Sequence, residues 1–391
     1  MLARATTRAA RRALATSEAS GKHVPWGASG SGTYTKSTKG CFDVIARAAP
    51  LVRAATERAL AARAAAGTAH CTPFGIGDFG AADGGTSLPL LADVVAAVRA
   101  AEPTAPIVVG YEDQAQNDWQ SLFALVGGTL EGGPPTYARA GNVFVSAVGT
   151  SFYESCFAPA SLDLAVSFTA FHWLRDVPGP IPDALHSACS GDAATVAAYE
   201  AAAAEDWDAI VARRAAELKV GGGLVVANFA KDVDGNFLGT TPRRVRASMH
   251  DAFSELWREI AGDSAWRATN FPNQYRSLDA CEAPFRDGKA GGLVLASAET
   301  DVVACPYHAE WVAAPSDDAA ARRAAAETFV PTTRTWSNST FVAGATAAGA
   351  SDAEARALVD ALFDRYVDRV AENPADHAMD YVHSYLRAEK H

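Results

Sequence analysis

The 391-residue chain has no run of 18 or more apolar residues, so no membrane-spanning helix is expected. Glycine and proline are scattered without period, which excludes collagen-like and low-complexity classes. Basic residues are in deficit. Thirty-four Lys and Arg against 45 Asp and Glu leave a net charge of −11, and no aromatics interleave with basic clusters. A nucleic acid is therefore not expected as partner. The six cysteines, Cys41, Cys71, Cys156, Cys189, Cys281 and Cys305, form no CxxC pair and have no His at zinc-finger spacing. Without a secretory apolar segment they read as reduced, mostly buried thiols in a reducing compartment. Internal repeats are absent.

The first turns carry Arg4, Arg8, Arg11 and Arg12 among Ala, Thr and Ser, with no acid before Glu18. That composition suits an organelle transit peptide or an Ala-rich helical extension. The expected compartment is cytoplasmic, with a plastid or mitochondrion as the alternative. A helix is expected from about Lys39 to Ala66, with Val44, Ile45, Ala48, Leu51, Val52 and Ala55 on one face. Continuous apolar strands are expected at 74–79, 105–111, 142–148, 162–168 and 224–229, the last following the Gly221–Gly223 turn. Helices are expected at 87–101, 117–126 and about 196–218. A late antiparallel pair is expected from 293–296 and 301–304. Strands of this kind alternating with helices indicate an α/β fold with a parallel sheet covered on both faces. Residues 1–22 read as an N-terminal extension. Residues 23–174, 219–239 and 291–314 read as the sheet core, and 175–218, 240–290 and 315–391 as helical additions, mainly a cap.

Gly75, Gly77 and Gly80 satisfy GxGxxG, a weak signal for a dinucleotide-binding oxidoreductase. Asp78 and Asp83 sit in that turn, where a pyrophosphate would meet a carboxylate. A cationic, phosphate-free nucleoside ligand such as S-adenosylmethionine suits it better. The second strand ends in Glu112-Asp113, where α/β nucleoside binders place an acid on ribose hydroxyls. A methyltransferase is favoured, with an NAD(P)-dependent oxidoreductase or a non-catalytic binder as the alternatives.

Five ordered blocks carry a family resemblance. Gly32-Thr33-Tyr34-Thr35-Lys36-Ser37-Thr38 is similar to an Asn-Ser-Tyr-x-x-Asn-Ser block. Ile76-Gly77-Asp78-Phe79-Gly80 is similar to Asp-Leu-Gly-Cys-Ser-Ser-Gly, and Glu112 to Trp119 to Asn-Asp-Leu-Pro-x-Asn-Asp-Phe. Thr150-Ser151-Phe152-Tyr153 with Phe157-Ala158-Pro159 matches Gly-Ser-Phe-Tyr-x-x-Leu-Phe-Pro. Ser167 to Leu174 is similar to Ser-Ser-x-Ser-Leu-His-Trp-Leu, with partial identity as in the other blocks. From about His23 onward the chain resembles a divergent SABATH methyltransferase, a family of carboxyl methyltransferases and caffeine-pathway N-methyltransferases.

The resemblance implies a doubly wound, Rossmann-like S-adenosylmethionine-dependent methyltransferase core with a helical cap. The cofactor would be S-adenosylmethionine, leaving as S-adenosylhomocysteine. Tyr34 and Thr38 would contact its methionine end, and Asp78 and Gly80 would lie against it. Asp113 would hold the ribose, with Gln114, Ser151 and Phe152 at the adenine. Ser167 and Phe168 would line the sulfonium side. Trp173 would hold an acceptor carboxylate, with Cys41, Thr169, His172 and Trp336 lining the same pocket. Trp173 and His172 are the expected catalytic residues. A homodimer is implied as possible, the partner being otherwise a small-molecule acceptor.

Two departures from the family pattern stand out. The family Gln that shares the carboxylate falls on Cys41, a poor amide substitute, and Thr86 replaces the Asn that reads the donor after the Gly-rich loop. Arg267-Ala268-Thr269-Asn270 lacks the Asp and Phe of a metal-binding run, so no metal is expected. Carboxyl O-methylation is the expected reaction. S-methylation of a small thioether acid or N-methylation of a small amine or heterocycle are the alternatives.

Overall fold

A computed structural model describes residues 25–238 and 248–391. The Arg-rich extension at 1–22 lies outside them. The sheet has seven strands among the described residues, in the order β3-β2-β1-β4-β5-β7-β6. These are β1 (Phe74–Phe79), β2 (Ile107–Asp113), β3 (Val143–Gly149), β4 (Leu162–Phe168), β5 (Leu218–Phe229), β6 (Leu293–Val303) and β7 (Tyr381–Lys390). The first five run parallel, and β7 lies antiparallel between β5 and β6. β1 and β4 are buried at every position, which is why they read as unbroken apolar runs.

The helices are α1 (Thr33–Ser37), α2 (Lys39–Ala65), α3 (Leu88–Ala101), α4 (Trp119–Val126), α5 (Ala193–Glu217), α6 (Met249–Ala268), α7 (Leu278–Arg286), α8 (Pro306–Ala313), α9 (Ala319–Ala347) and α10 (Asp352–Glu372). α2 buries Val44, Ile45, Ala48, Val52, Ala55 and Ala59 at helical spacing. It lies so close to β5 that a Cβ on Gly223 would stand 2.9 Å from the Ala55 Cβ. The glycine triplet 221–223 is therefore part of β5 rather than a turn before it.

Three expectations need correction. Residues 381–390, assigned to the helical additions, are the strand β7. Their His383 and Ser384 break an apolar pattern, yet both are fully buried between neighbouring strands. Residues 293–303 form one strand instead of an antiparallel pair, because β7 supplies the partner. α5 is not cap either. Its Trp207, Ile210, Val211 and Ala215 cover one face of the sheet, against Leu162, Ala165, Leu224 and Val226. The cap is α6, α9 and α10, joined by the ring cluster Phe253, Phe341, Phe363 and Tyr366. Among the described residues no helix is long and apolar enough to cross a membrane.

Candidate active site

Strand register brings the ends of β1, β2, β3 and β4 level. Phe79 pairs with Glu112 and Ser167, and Asp113 pairs with Gly149. This is the edge at which open parallel sheets take ligands. The turn after β1 is folded tightly onto it. Gly80 has φ +70°, and a Cβ there would sit 2.1 Å from the Ala170 Cβ. Left-handed backbone and steric overlap together should make Gly80→Ala cost about 2–4 kcal/mol. Urea unfolding checks this; an unchanged midpoint would show that the turn relaxes freely.

Three carboxylates gather here. Asp78 is 2% exposed and accepts a 2.5 Å bond from the Ser87 hydroxyl. Asp113 accepts from the Ala82 and Gln114 N–H groups, both at 2.7 Å. Asp83 accepts from the Thr35 N–H at 2.9 Å and its hydroxyl at 2.6 Å, which ties α1 to the turn. Burial pushes Asp78 up to about 7 and Asp113 up to about 6, and it raises Asp83. The bonds named for these three acids come from hydroxyls and backbone N–H groups, none from a Lys or Arg. Next to them, fully buried Glu112 is raised well above the usual range by burial, and one of its oxygens has no partner.

Tyr34 joins this crevice to a cavity beneath the cap. Its phenol lies 3.8 Å from the Cys41 sulfur and feels the charges of Asp83 and Asp113. The cavity together with its open mouth holds about 430 Å³ of space. Cys41, Thr169, His172, Trp173 and Trp336, expected around the acceptor, line it together with Tyr34 and Thr38, which were expected at the methionine end of the cofactor. Phe229, Leu238, Asn273, Tyr275, Thr332, Met379 and Tyr381 complete the wall. These seven were not found from sequence. They come from the end of β5 and the segment after it, the connection between α6 and α7, the cap helix α9, and the start of β7 with its approach, with no local motif to mark them.

Among the described residues, no Asp, Glu, Lys or Arg lines the cavity. Thr169 holds φ +63°, rare for a β-branched residue, and its hydroxyl lies 3.1 Å from His383 Nε2. His172 is buried, with Nδ1 3.1 Å from Asn228 Oδ1. Burial lowers His383 to about 3, so it is neutral.

The remaining predicted residues stand outside the cavity. Phe168 is buried at the end of β4, and Ser167 spends its hydroxyl on the Phe79 carbonyl at 3.0 Å. Ser151 and Phe152 follow β3. Buried Arg214 fixes that loop by donating to the Phe152 and Glu154 carbonyls, while it is paired to Glu217. Gln114 is half-buried beside Asp113 and accepts from Gln116 at 3.0 Å.

A family described as SAM-dependent carboxyl methyltransferase matches residues 25–263. The chain belongs to that family. Among curated relatives, the O-methyltransferase acrG of Aspergillus aculeatus is 29% identical over 169 residues, 42% of this chain and 41% of its own length. A probable jasmonic acid carboxyl methyltransferase of Theobroma cacao is 24% identical over 180 residues, 40% and 46% of the two chains. The chain thus aligns with less than half the length of these relatives. The solved loganic acid methyltransferase with SAH shares the fold, at a TM-score of 0.70 and 20% identity over 94% of this chain and 98% of that one.

Family membership makes S-adenosylmethionine the cofactor, and the dinucleotide alternative falls away. The residues present fit that group. Buried acids bonded by hydroxyls and backbone N–H groups would welcome a ligand carrying sulfonium and ammonium charge. The tight approach of Gly80 and the Asp113 carboxylate suit a nucleoside.

Proposed function

We propose that the protein transfers a methyl group from S-adenosylmethionine to a small organic acid, on its carboxylate. The observation that carries this reading is the junction at Tyr34, where an acidic crevice meets a cavity lined, among the described residues, without any charged side chain. Bound there, the cofactor supplies an electrophilic methyl carbon. Asp113 would hold the ribose, Gln114, Ser151 and Phe152 would flank the adenine, Tyr34 and Thr38 would contact the methionine end, and Asp78 and Gly80 would lie against the cofactor. Ser167 and Phe168, at the end of β4, would line the sulfonium side. Trp173 orients the acceptor, with Cys41, Thr169, His172 and Trp336 around it.

A carboxylate with an ordinary pKa near ~4 is ionised at neutral pH and needs no base. The bond between His172 and Asn228 suits a positioning role for that histidine. What the chain contributes is alignment and exclusion of water. The test is calorimetry with S-adenosylhomocysteine and with NAD, then a methyl-donor assay over small carboxylic, thioether and amine acceptors. The expected result is S-adenosylhomocysteine binding in the micromolar range and methyl ester formation. Transfer only to thioethers or amines would overturn the carboxylate assignment, and binding of NAD alone would overturn the whole reading.

A further inference from the structure

The cavity wall contains a phenol that the sequence blocks do not mark. Tyr381, at the start of β7, is 1% exposed, and its hydroxyl has no hydrogen-bond partner. A buried hydroxyl without a partner is unfavourable unless something supplies one. The ring stacks on Phe229 at 5.9 Å and passes over α2 at Gly40. A Cβ on Gly40 would lie 2.2 Å from that ring and 2.6 Å from the hydroxyl oxygen. Only a glycine at this point lets the phenol reach the cavity, directly beside Cys41.

Thr332, on the cap helix α9, lines the same wall. Its hydroxyl stands near Tyr381 without reaching hydrogen-bond geometry. One turn along α9 the Trp336 indole N–H, a donor only, is also buried and unpartnered. Among the described residues the cavity therefore presents unpaired neutral donors and no formal charge. Burial raises the Tyr381 pKa well above the phenol range, so it keeps its proton and can donate. An anion fits this wall better than a cation, because neutral donors satisfy it without burying a second charge.

We propose that Tyr381 is a substrate-binding residue, its hydroxyl donating to the carboxylate of the acceptor where Cys41 offers only a thiol. The inference rests on the carboxylate reading above. It makes the acceptor clamp partly a product of the C-terminal strand, and it makes Gly40 the condition for that clamp.

Tyr381→Phe keeps the ring on Phe229 and removes one oxygen. The full-length variant is assayed with the acid that the unmodified enzyme methylates best in the acceptor panel, and with that acid's primary amide as competitive inhibitor. KM for the acid should rise about ten- to a hundred-fold, as expected for a lost bond to a charged group. Amide inhibition should change far less, and S-adenosylhomocysteine affinity should hold within two-fold. An unchanged KM overturns the role of Tyr381 and leaves carboxyl methylation standing. An equal loss for acid, amide and S-adenosylhomocysteine also overturns it, by showing a packing role. If the unmodified enzyme methylates no acid in the panel, the carboxylate reading itself fails, and this inference with it.

Discussion

Asp113→Ala should abolish S-adenosylhomocysteine binding while leaving the protein folded. The Asp113 carboxylate accepts from the Ala82 and Gln114 N–H groups. A carboxylate has about four acceptor positions, so two remain for the paired hydroxyls of a ribose. Two charge-assisted hydrogen bonds at about 1.5–3 kcal/mol each correspond to a loss of at least a hundred-fold in affinity. The structural cost is smaller. The Ala82 N–H loses its acceptor, at about 1–3 kcal/mol, and the Gln114 amide is half-exposed and can turn to water. Calorimetry should therefore show no heat with S-adenosylhomocysteine in a variant that still unfolds cooperatively. Affinity within three-fold of the parent would refute the ribose assignment, whatever the melting temperature does.

How far the fold and site were legible in the sequence depended on whether the signal was local. The β1 turn was legible because Gly80, Asp78 and Asp83 are close neighbours whose types conflict with a phosphate. Asp113 was legible from its place at the end of an apolar strand. Trp173 and His172 followed from one contiguous block. Tyr381 was not legible. Its strand mixes Tyr, His and Ser, and its burial comes from β5 and β6, far away in the chain: Val303 of β6 lies opposite Tyr381, and Phe229 of β5 opposite His383. Thr332 and Met379 had the same difficulty, since α9 and the approach to β7 turn them inward only once the cap has closed. Gly40 is the clearest case. In sequence it is a helix-weakening residue inside α2, and its reason appears only with the Tyr381 ring 2.2 Å from where a Cβ would be.

Asp78→Asn should make the ligand-free protein more stable and a poorer binder of its cofactor. Burial lifts the Asp78 carboxyl to about 7, opposed by the Ser87 hydroxyl and assisted by the charge of Asp113. An unfolded chain would place it near ~4. A raised carboxyl pKa means that the folded state binds the proton more tightly than the unfolded chain. Its contribution to stability is fully present below about pH 4 and is lost as pH rises through about 7. At pH 8 the folded protein therefore holds a buried charge at a cost of roughly 1–4 kcal/mol. An Asn carries no such charge, and its carbonyl oxygen can still accept from Ser87. The gain in melting temperature over the parent should be several degrees at pH 8 and small at pH 5. A loss of equal size at both values would refute the burial argument. Binding should move the other way. If the carboxylate faces the positive end of S-adenosylmethionine, the parent releases a proton on binding near pH 6.5. Calorimetry in buffers of different ionisation enthalpy would register that proton in the parent and not in the variant. The cost of burying the Asp78 carboxylate in the ligand-free protein would then be the source of its affinity for a cationic ligand.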